Sequence, residues 1–244
     1  MLITSLENNK VKNLVRLQQK KNRDETGTYL VEGEHLVEEA YKNSSILELF
    51  VLEGTSVSYD VLTTEVTEDV MKKISTLDTF PNMIALCKKK KYKEFVGDKF
   101  LLLDGIQDPG NLGTIIRSSL AFNVSMIILS PTCVDLYNPK VIRGTQGMMF
   151  HIPVMVMDTK AAIHYMKENS IPVYGTSVVN GVDVSTLSKE DKEKYCLIMG
   201  NEGNGLSSEI QDLCDQNLYI QMYSKVESLN VGVACSILLY ELGR

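Results

Sequence analysis

Glu227-Ser228-Leu229-Asn230-Val231-Gly232-Val233-Ala234 opens the last long apolar stretch of the chain, which runs on to Leu242. Ser228 and Asn230 are both good helix caps, and Gly243 is placed to end the helix that follows. One cap suffices, so the other polar group is left to face a ligand. Two earlier stretches also set polar residues and glycines against a buried run. Asn111-Leu112-Gly113-Thr114-Ile115-Ile116-Arg117 lies downstream of Phe100-Leu101-Leu102-Leu103, whose continuous apolarity predicts a parallel strand covered on both faces. Met199-Gly200-Asn201-Glu202-Gly203-Asn204-Gly205-Leu206-Ser207 directly follows Cys196-Leu197-Ile198.

Taken singly, each stretch has a plain reading. The first is a capped helix, the second a capped helix with an exposed arginine, the third a glycine turn with Ser207 capping the next helix. The residue chemistry allows more. With Asn111 as cap, Arg117 falls in the second turn, where a guanidinium can hold a phosphate bidentately or stabilise charge developing on a sugar oxygen. The glycine turn reads G-x-x-G-x-G, not the dinucleotide-binding G-x-G-x-x-G, and it comes late in the chain. No phosphate-loop lysine follows it, and Glu202 inside it would repel a phosphate. The turn therefore favours a ligand without phosphate.

The chain has 244 residues, 44% of them hydrophobic, which is ample for a core. No apolar run approaches the roughly 20 residues needed to span a bilayer, and the first residues lack the charged and apolar regions of a secretory leader. The five cysteines (Cys87, Cys133, Cys196, Cys214, Cys235) are odd in number, far apart and without a C-x-x-C pair, so buried reduced thiols are expected, with no metal and a cytoplasmic location. The net charge of −6 and pI near 5.2 argue against a generic nucleic-acid binder. The charge is uneven, however. Residues 1–23 hold Lys10, Lys12, Arg16, Lys20, Lys21 and Arg23 against Glu7 alone, and Lys88 to Lys91 with Lys93 form a second basic run. Phosphate contacts need only such local positive potential, although a solvated helix face and a charged linker would look the same.

Periodicity predicts a small α/β domain over residues 1–92. Its elements are a helix around Val11–Leu17, strands at Tyr29–Glu32, Leu47–Leu52 and Met83–Cys87, and helices at Glu34–Lys42 and Thr67–Ser75. Lys88 to Gly97 reads as a polar linker. Residues 98–244 form the second domain. Strands are expected at Phe100–Leu103, Val124–Leu129, Ile171–Gly175, Cys196–Met199 and Leu218–Met222. Helices are expected from Asn111, at Thr159–Asn169, Ser207–Cys214 and Val231–Leu242.

In this order and with these polar residues, the three stretches resemble the three motifs of the SpoU (TrmH-type) RNA ribose 2'-O-methyltransferases of the SPOUT superfamily. The likeness covers roughly residues 100–244. It implies an α/β trefoil-knot domain with a mostly parallel sheet, S-adenosylmethionine as cofactor, and an RNA ribose 2'-hydroxyl as methyl acceptor. It further implies that Asn111, Arg117, Glu202, Ser228 and Asn230 serve catalysis, while Gly200, Ile220 and Leu229 hold the cofactor with Thr176 beside them. The family's arginine is usually assigned to activating the hydroxyl. An arginine with a pKa above about 12 is a poor general base, so orientation and oxyanion stabilisation are assigned to Arg117, with proton removal left unassigned. Tyr29-Leu30-Val31-Glu32-Gly33 followed by a helix resembles the ribosomal-protein-like substrate-binding domain of many family members. That favours ribosomal RNA over transfer RNA as substrate. The family pattern also implies a homodimer through the C-terminal domain.

Other candidates are weaker. His35, His151 and His164 are scattered without ligand spacing. Arg143-Gly144-Thr145-Gln146-Gly147 resembles the family segment between the first two motifs, but glycine stands where a serine is common, so Arg143 is kept only as an RNA contact. A non-catalytic RNA-binding protein of the same fold is the rival reading, and a dinucleotide enzyme a third.

Overall fold

The computed structural model describes residues 2–178, 181–223 and 225–244. Its contacts divide the chain into two units, one formed by residues up to Lys90 together with Asp135–Phe150, the other by Lys91–Val134 and His151–Arg244.

The first unit begins with β1 (Leu2–Ile3), α1 (Asn9–Arg16), α2 (Lys20–Thr26), β2 (Thr28–Glu32) and α3 (Glu34–Lys42). β3 (Ile46–Leu52), β4 (Thr63–Val66), α4 (Glu68–Ile74) and β5 (Met83–Lys88) follow. Its sheet has the order β1-β4-β3-β5-β2, with β5 antiparallel to both neighbours and the other pairs parallel. The Asn8 side chain accepts from the Lys10 N–H to start α1, which buries Val11 and Leu14 and leaves Lys12 and Arg16 outside. Those apolar groups join Phe50, Val70, Met71 and Ile84 in one cluster.

The second unit contains β6 (Lys99–Leu103), α5 (Pro109–Ala121) and β7 (Met126–Leu129). Next in the chain comes α6 (Pro139–Thr145), which belongs to the first unit. The second unit resumes with β8 (Val154–Val156), α7 (Thr159–Glu168), β9 (Val173–Thr176) and β10 (Val182–Asp183). It ends with β11 (Tyr195–Met199), α8 (Ser208–Leu213), β12 (Gln216–Tyr219) and α9 (Val231–Leu242). All seven strands are parallel, in the order β10-β12-β9-β11-β6-β7-β8. β11 and β6, at its centre, are almost wholly buried, as their unbroken apolar runs predict. The chain steps outward from β6 to β7 to β8 and then returns to build the other side of β6. Between β6 and β11, therefore, the order of connection reverses, and at such a reversal the loops leaving the carboxyl ends part to form a crevice.

Several elements depart from their sequence readings. α5 is capped by Asp108, not Asn111: the Asp108 carboxylate accepts from the Asn111 N–H, and Pro109 supplies the preset φ of a first helical residue. Asn111 thus sits inside the first turn. The expected linker is partly docked, since Tyr92 and Phe95 pack on the second unit's core and Phe95 stacks on Tyr165 at 3.8 Å between ring centroids. Residues 135–150, placed by sequence in the second domain, belong by contact to the first unit.

Candidate active site

The loop leaving β6, residues 104–108, is held largely by the segment leaving β11. Asp104 N–H donates to the Met199 carbonyl at 2.8 Å, and the Gly105 carbonyl accepts from Asn201 Nδ2 at 2.8 Å. Gly105 has φ +74°, a region where side chains are strained. The N–H groups of Gln107 and Asp108 then point at the Glu202 carboxylate, 3.1 and 2.9 Å away. Glu202 also accepts from Asn111 Nδ2 at 3.1 Å. The opposite edge of the Asn111 amide, Oδ1, accepts from Asn230 Nδ2 at 2.9 Å. Asn230 in turn caps α9, its Oδ1 accepting from the N–H groups of Gly232 and Val233. One hydrogen-bonded chain therefore links all three stretches singled out in the sequence. Burial works to raise the Glu202 carboxyl. The Asp108 N–H, the Asn111 amide and the Gln107 N–H outweigh it and hold the group below the usual glutamate range.

Beside this chain lies a cavity of about 420 Å³, a size typical of small-molecule sites. The turn 199–206, the end of β9 at Thr176, the exit of β12 at Ile220, and Ser228 and Leu229 ahead of α9 line it. Gly200 and Glu202 are among these residues, so six of the sequence-predicted site residues share one wall system. Among the described residues, the lining includes no lysine, arginine or histidine. A ligand's phosphate would find no countercharge there, whereas an adenosine and a neutral or cationic chain would meet apolar side chains and main-chain groups. On that donor set S-adenosylmethionine fits and a dinucleotide does not.

Gly200 is required for a reason that the sequence does not reveal. A Cβ there would lie 2.2 Å from the Gly205 carbonyl carbon and 2.4 Å from the Leu206 nitrogen. The glycine lets the turn fold back upon itself; intrusion on a ligand is secondary. Thr176 is similarly committed, its hydroxyl donating to the Ile198 carbonyl at 3.0 Å. Ser228 is exposed, and Asn230, not Ser228, is the cap.

Arg117 is exposed on α5 and forms no hydrogen bond or ion pair among the described residues. α5 packs on α9, with Ser118 and Ser236 hydroxyls 2.6 Å apart and Phe122 edge-on to Tyr240.

The first unit's basic residues differ in what they offer. Arg16 and Lys20 are exposed and form no ion pair among the described residues. Lys12 pairs with Glu7 at 2.5 Å, and Lys21 approaches Glu25 at 3.9 Å. Lys10 is bound to the buried Glu48 at 2.7 Å. Arg23 corrects the sequence reading: it is 3% exposed, its Nε and Nη2 bind Asp135 Oδ2, and its Nη1 donates to the carbonyls of Leu17 and Gln18. A guanidinium so enclosed is structural and cannot reach RNA. Arg143 is half-buried and donates to Thr76 Oγ1 at 3.0 Å, which itself donates to the buried Glu32.

Sequence reasoning missed Asn201 and the Gln107 and Asp108 N–H groups. An Asn-x-Gly run is a turn signal, but nothing local shows that its amide reaches Gly105.

The SpoU rRNA Methylase family matches residues 98–240, and the MRM3-like substrate binding domain matches residues 8–85. The chain is 38% identical to the 23S rRNA (guanosine(2553)-2'-O)-methyltransferase RlmP of Bacillus subtilis, over 98% of each. The AdoMet-bound rRNA methyltransferase from Sinorhizobium meliloti superposes with a TM-score of 0.88 at 30% identity, over 99% of this chain and 97% of that one. The SpoU methyltransferase AviRb from Streptomyces viridochromogenes, 23% identical over 98% of each chain, shares the fold with a TM-score of 0.86. Matched over more than half its length by the family and over nearly all of it by a relative 38% identical, the chain belongs to the SpoU rRNA methylase family.

Proposed function

We propose that this chain transfers a methyl group from S-adenosylmethionine to a ribose 2'-hydroxyl of 23S ribosomal RNA. The observation that carries the reading is the Glu202–Asn111–Asn230 chain set beside a cavity without basic side chains, at the reversal of a parallel sheet. When bound, S-adenosylmethionine supplies an electrophilic methyl on its sulfonium. Gly200, Ile220 and Leu229 hold the adenosine side, with Thr176 next to them. Asn111, Ser228 and Asn230 order the acceptor's surroundings, Glu202 fixes Asn111, and Arg117 orients the ribose oxygen and stabilises negative charge on it.

Residues 1–92 hold the RNA and residues 98–244 perform the transfer. Arg16 and Lys20 are the foremost RNA contacts, with Lys12 and Lys21 released from weak exposed pairs; Lys10 and Arg143 contribute less. The protein acts as a homodimer. α9 exposes Val233 and Tyr240 about two turns apart, 48% and 49% accessible, beside exposed Thr114, Arg117 and Ala121 of α5. Among the described residues no helix is long and apolar enough to cross a membrane, and a ribosomal substrate places the protein in the cytoplasm.

The test is ribose-methylation mapping of ribosomal and transfer RNA from a deletion strain, with transfer to unmodified 23S RNA by the purified chain. Guanosine 2553, the position in the name of the Bacillus relative, is the first to inspect. Loss of one 23S mark, restored in vitro, is expected. A lost transfer-RNA mark would reassign the substrate, and RNA binding without any transfer would make the protein a non-catalytic binder.

A further inference from the structure

Asn201 lines the cavity and also reaches the loop that leads into the helix carrying Arg117, and its amide is used on both edges. Oδ1 accepts from the N–H groups of Gly203 and Asn204 at 2.9 and 3.3 Å. Its backbone closes the same turn with Gly205 in both directions, N–H to carbonyl at 3.2 and 2.9 Å. These bonds shape residues 201–205, which line the cavity. The nitrogen edge points the other way and donates to the Gly105 carbonyl at 2.8 Å. That carbonyl lies just ahead of the Gln107 and Asp108 N–H groups received by Glu202, and of the Asn111 turn of α5.

We infer that Asn201 is a positioning residue for methyl transfer, its oxygen forming the cofactor turn while its nitrogen sets the β6–α5 loop that places Asn111 and Arg117. The chemistry leaves few substitutes. Glu202 is an acceptor when ionised and has nothing to offer a carbonyl. Aspartate at 201 would keep the acceptor and lose the donor, and serine could close the turn but is too short to reach Gly105. Asn201 thus adds, to the bonds made by Met199 and Glu202, a side-chain bond fixing Gly105 between the two loops that diverge at the β6–β11 reversal. The inference rests on the methyl-transfer reading, and its test separates the two.

Asn201→Asp and Asn201→Ser both retain a turn acceptor and lack the amide donor, one charged beside Glu202 and one neutral. Agreement between them excludes charge repulsion as the cause of any defect. For both, calorimetry is expected to give S-adenosylmethionine affinity within about threefold of wild type, because the turn survives. The single-turnover rate is expected to fall by about tenfold or more, because misplacing a reacting group by an ångström has costs of that order. Hydrogen exchange in the peptide covering 103–111 should speed up without cofactor or RNA. Unchanged rate and exchange in both variants would overturn the inference, as would loss of affinity in step with rate, which would mark a general loosening of the turn. Should neither variant fold, slowed exchange of the Asn201 side-chain amide protons in the wild type is the expected result, and exchange at the free-amide rate overturns it. Failure of the wild type to methylate any RNA would sink the methyl-transfer reading while leaving the exchange measurements to decide the role of Asn201 in the loop.

Discussion

Asn111 Oδ1 accepts a hydrogen bond from Asn230 Nδ2 at 2.9 Å, joining two side chains 119 residues apart in sequence. Each amide is oriented from its far side, Asn111 by Glu202 and Asn230 by the first N–H groups of α9. A flip would lose two bonds at Asn111 and three at Asn230. The pair should therefore behave as one unit: Asn111→Ala and Asn230→Ala each lower the single-turnover rate, and the double variant loses less than the product of the two. A coupling of about 0.5–3 kcal/mol is the range for residues in one network. Strict additivity in the double-mutant cycle would show that the contact plays no part in transfer.

At Gly200 the added Cβ meets backbone, which cannot swing away as a side chain would. Gly200→Ala should lower stability by about 1–3 kcal/mol, as overpacking does, and abolish cofactor-dependent thermal stabilisation. Gly203→Ala, whose Cβ would meet only Asn201 Oδ1 at 3.5 Å, should leave both almost unchanged. Equal effects of the two substitutions in a thermal-shift series would contradict this account of the turn.

The three polar stretches were legible in the sequence because they combine glycines with side chains that the plain reading of a cap does not need. β6 and β11 were legible as apolar runs, and α9 as a largely apolar stretch with caps at both ends. Short β1, β8 and β10 were not, since two or three residues set no measurable period, and β4, Thr-Thr-Glu-Val, has no apolar run. Arg23 illustrates the other limit. On a helix rich in lysine it looks like one more exposed cation, and only Asp135, 112 positions later, makes it a buried ion pair. Glu202 was seen as a charge inside a turn, but the N–H groups that receive it come from a loop nearly a hundred residues upstream.

Removing one member of the Arg23–Asp135 pair leaves a buried charge and unpaired carbonyls. Arg23→Ala or Asp135→Ala should cost about 3–5 kcal/mol of stability, read by urea denaturation. RNA affinity of the folded fraction should be unaffected, in contrast to Arg16→Ala and Lys20→Ala, which should weaken binding and flatten its salt dependence. A loss of affinity in Arg23→Lys at full stability would return this residue to the RNA surface.

The Glu202 carboxyl titrates lower in the folded chain than its ordinary value. Its ionised form therefore adds stability above the unfolded value near about 4.3, and that contribution is lost as pH falls through the folded value. The melting-temperature gap between wild type and Glu202→Gln should be level from about pH 6 to about pH 9 and close below about pH 4. A gap that widens toward acid would mean that the carboxyl is raised instead.

Arg117 has no partner among the described residues, which is the expected condition of a guanidinium awaiting substrate charge. Arg117→Ala should leave cofactor affinity near wild type and lower the methylation rate by about 100-fold or more, as loss of a transition-state donor does. Arg117→Lys should recover little, because one ammonium cannot reproduce a planar two-pronged contact. In the proposed homodimer the arginine of one subunit serves the cofactor cavity of the other. Mixing Arg117→Ala with Asn230→Ala subunits then creates heterodimers in which one composite site carries both defects and the other carries neither. With random exchange of equal amounts, half the dimers are mixed and each has one working site of two, so about a quarter of wild-type activity should return. No recovery, with subunit exchange verified by native mass spectrometry, would place Arg117 at its own subunit's cavity and remove the shared site.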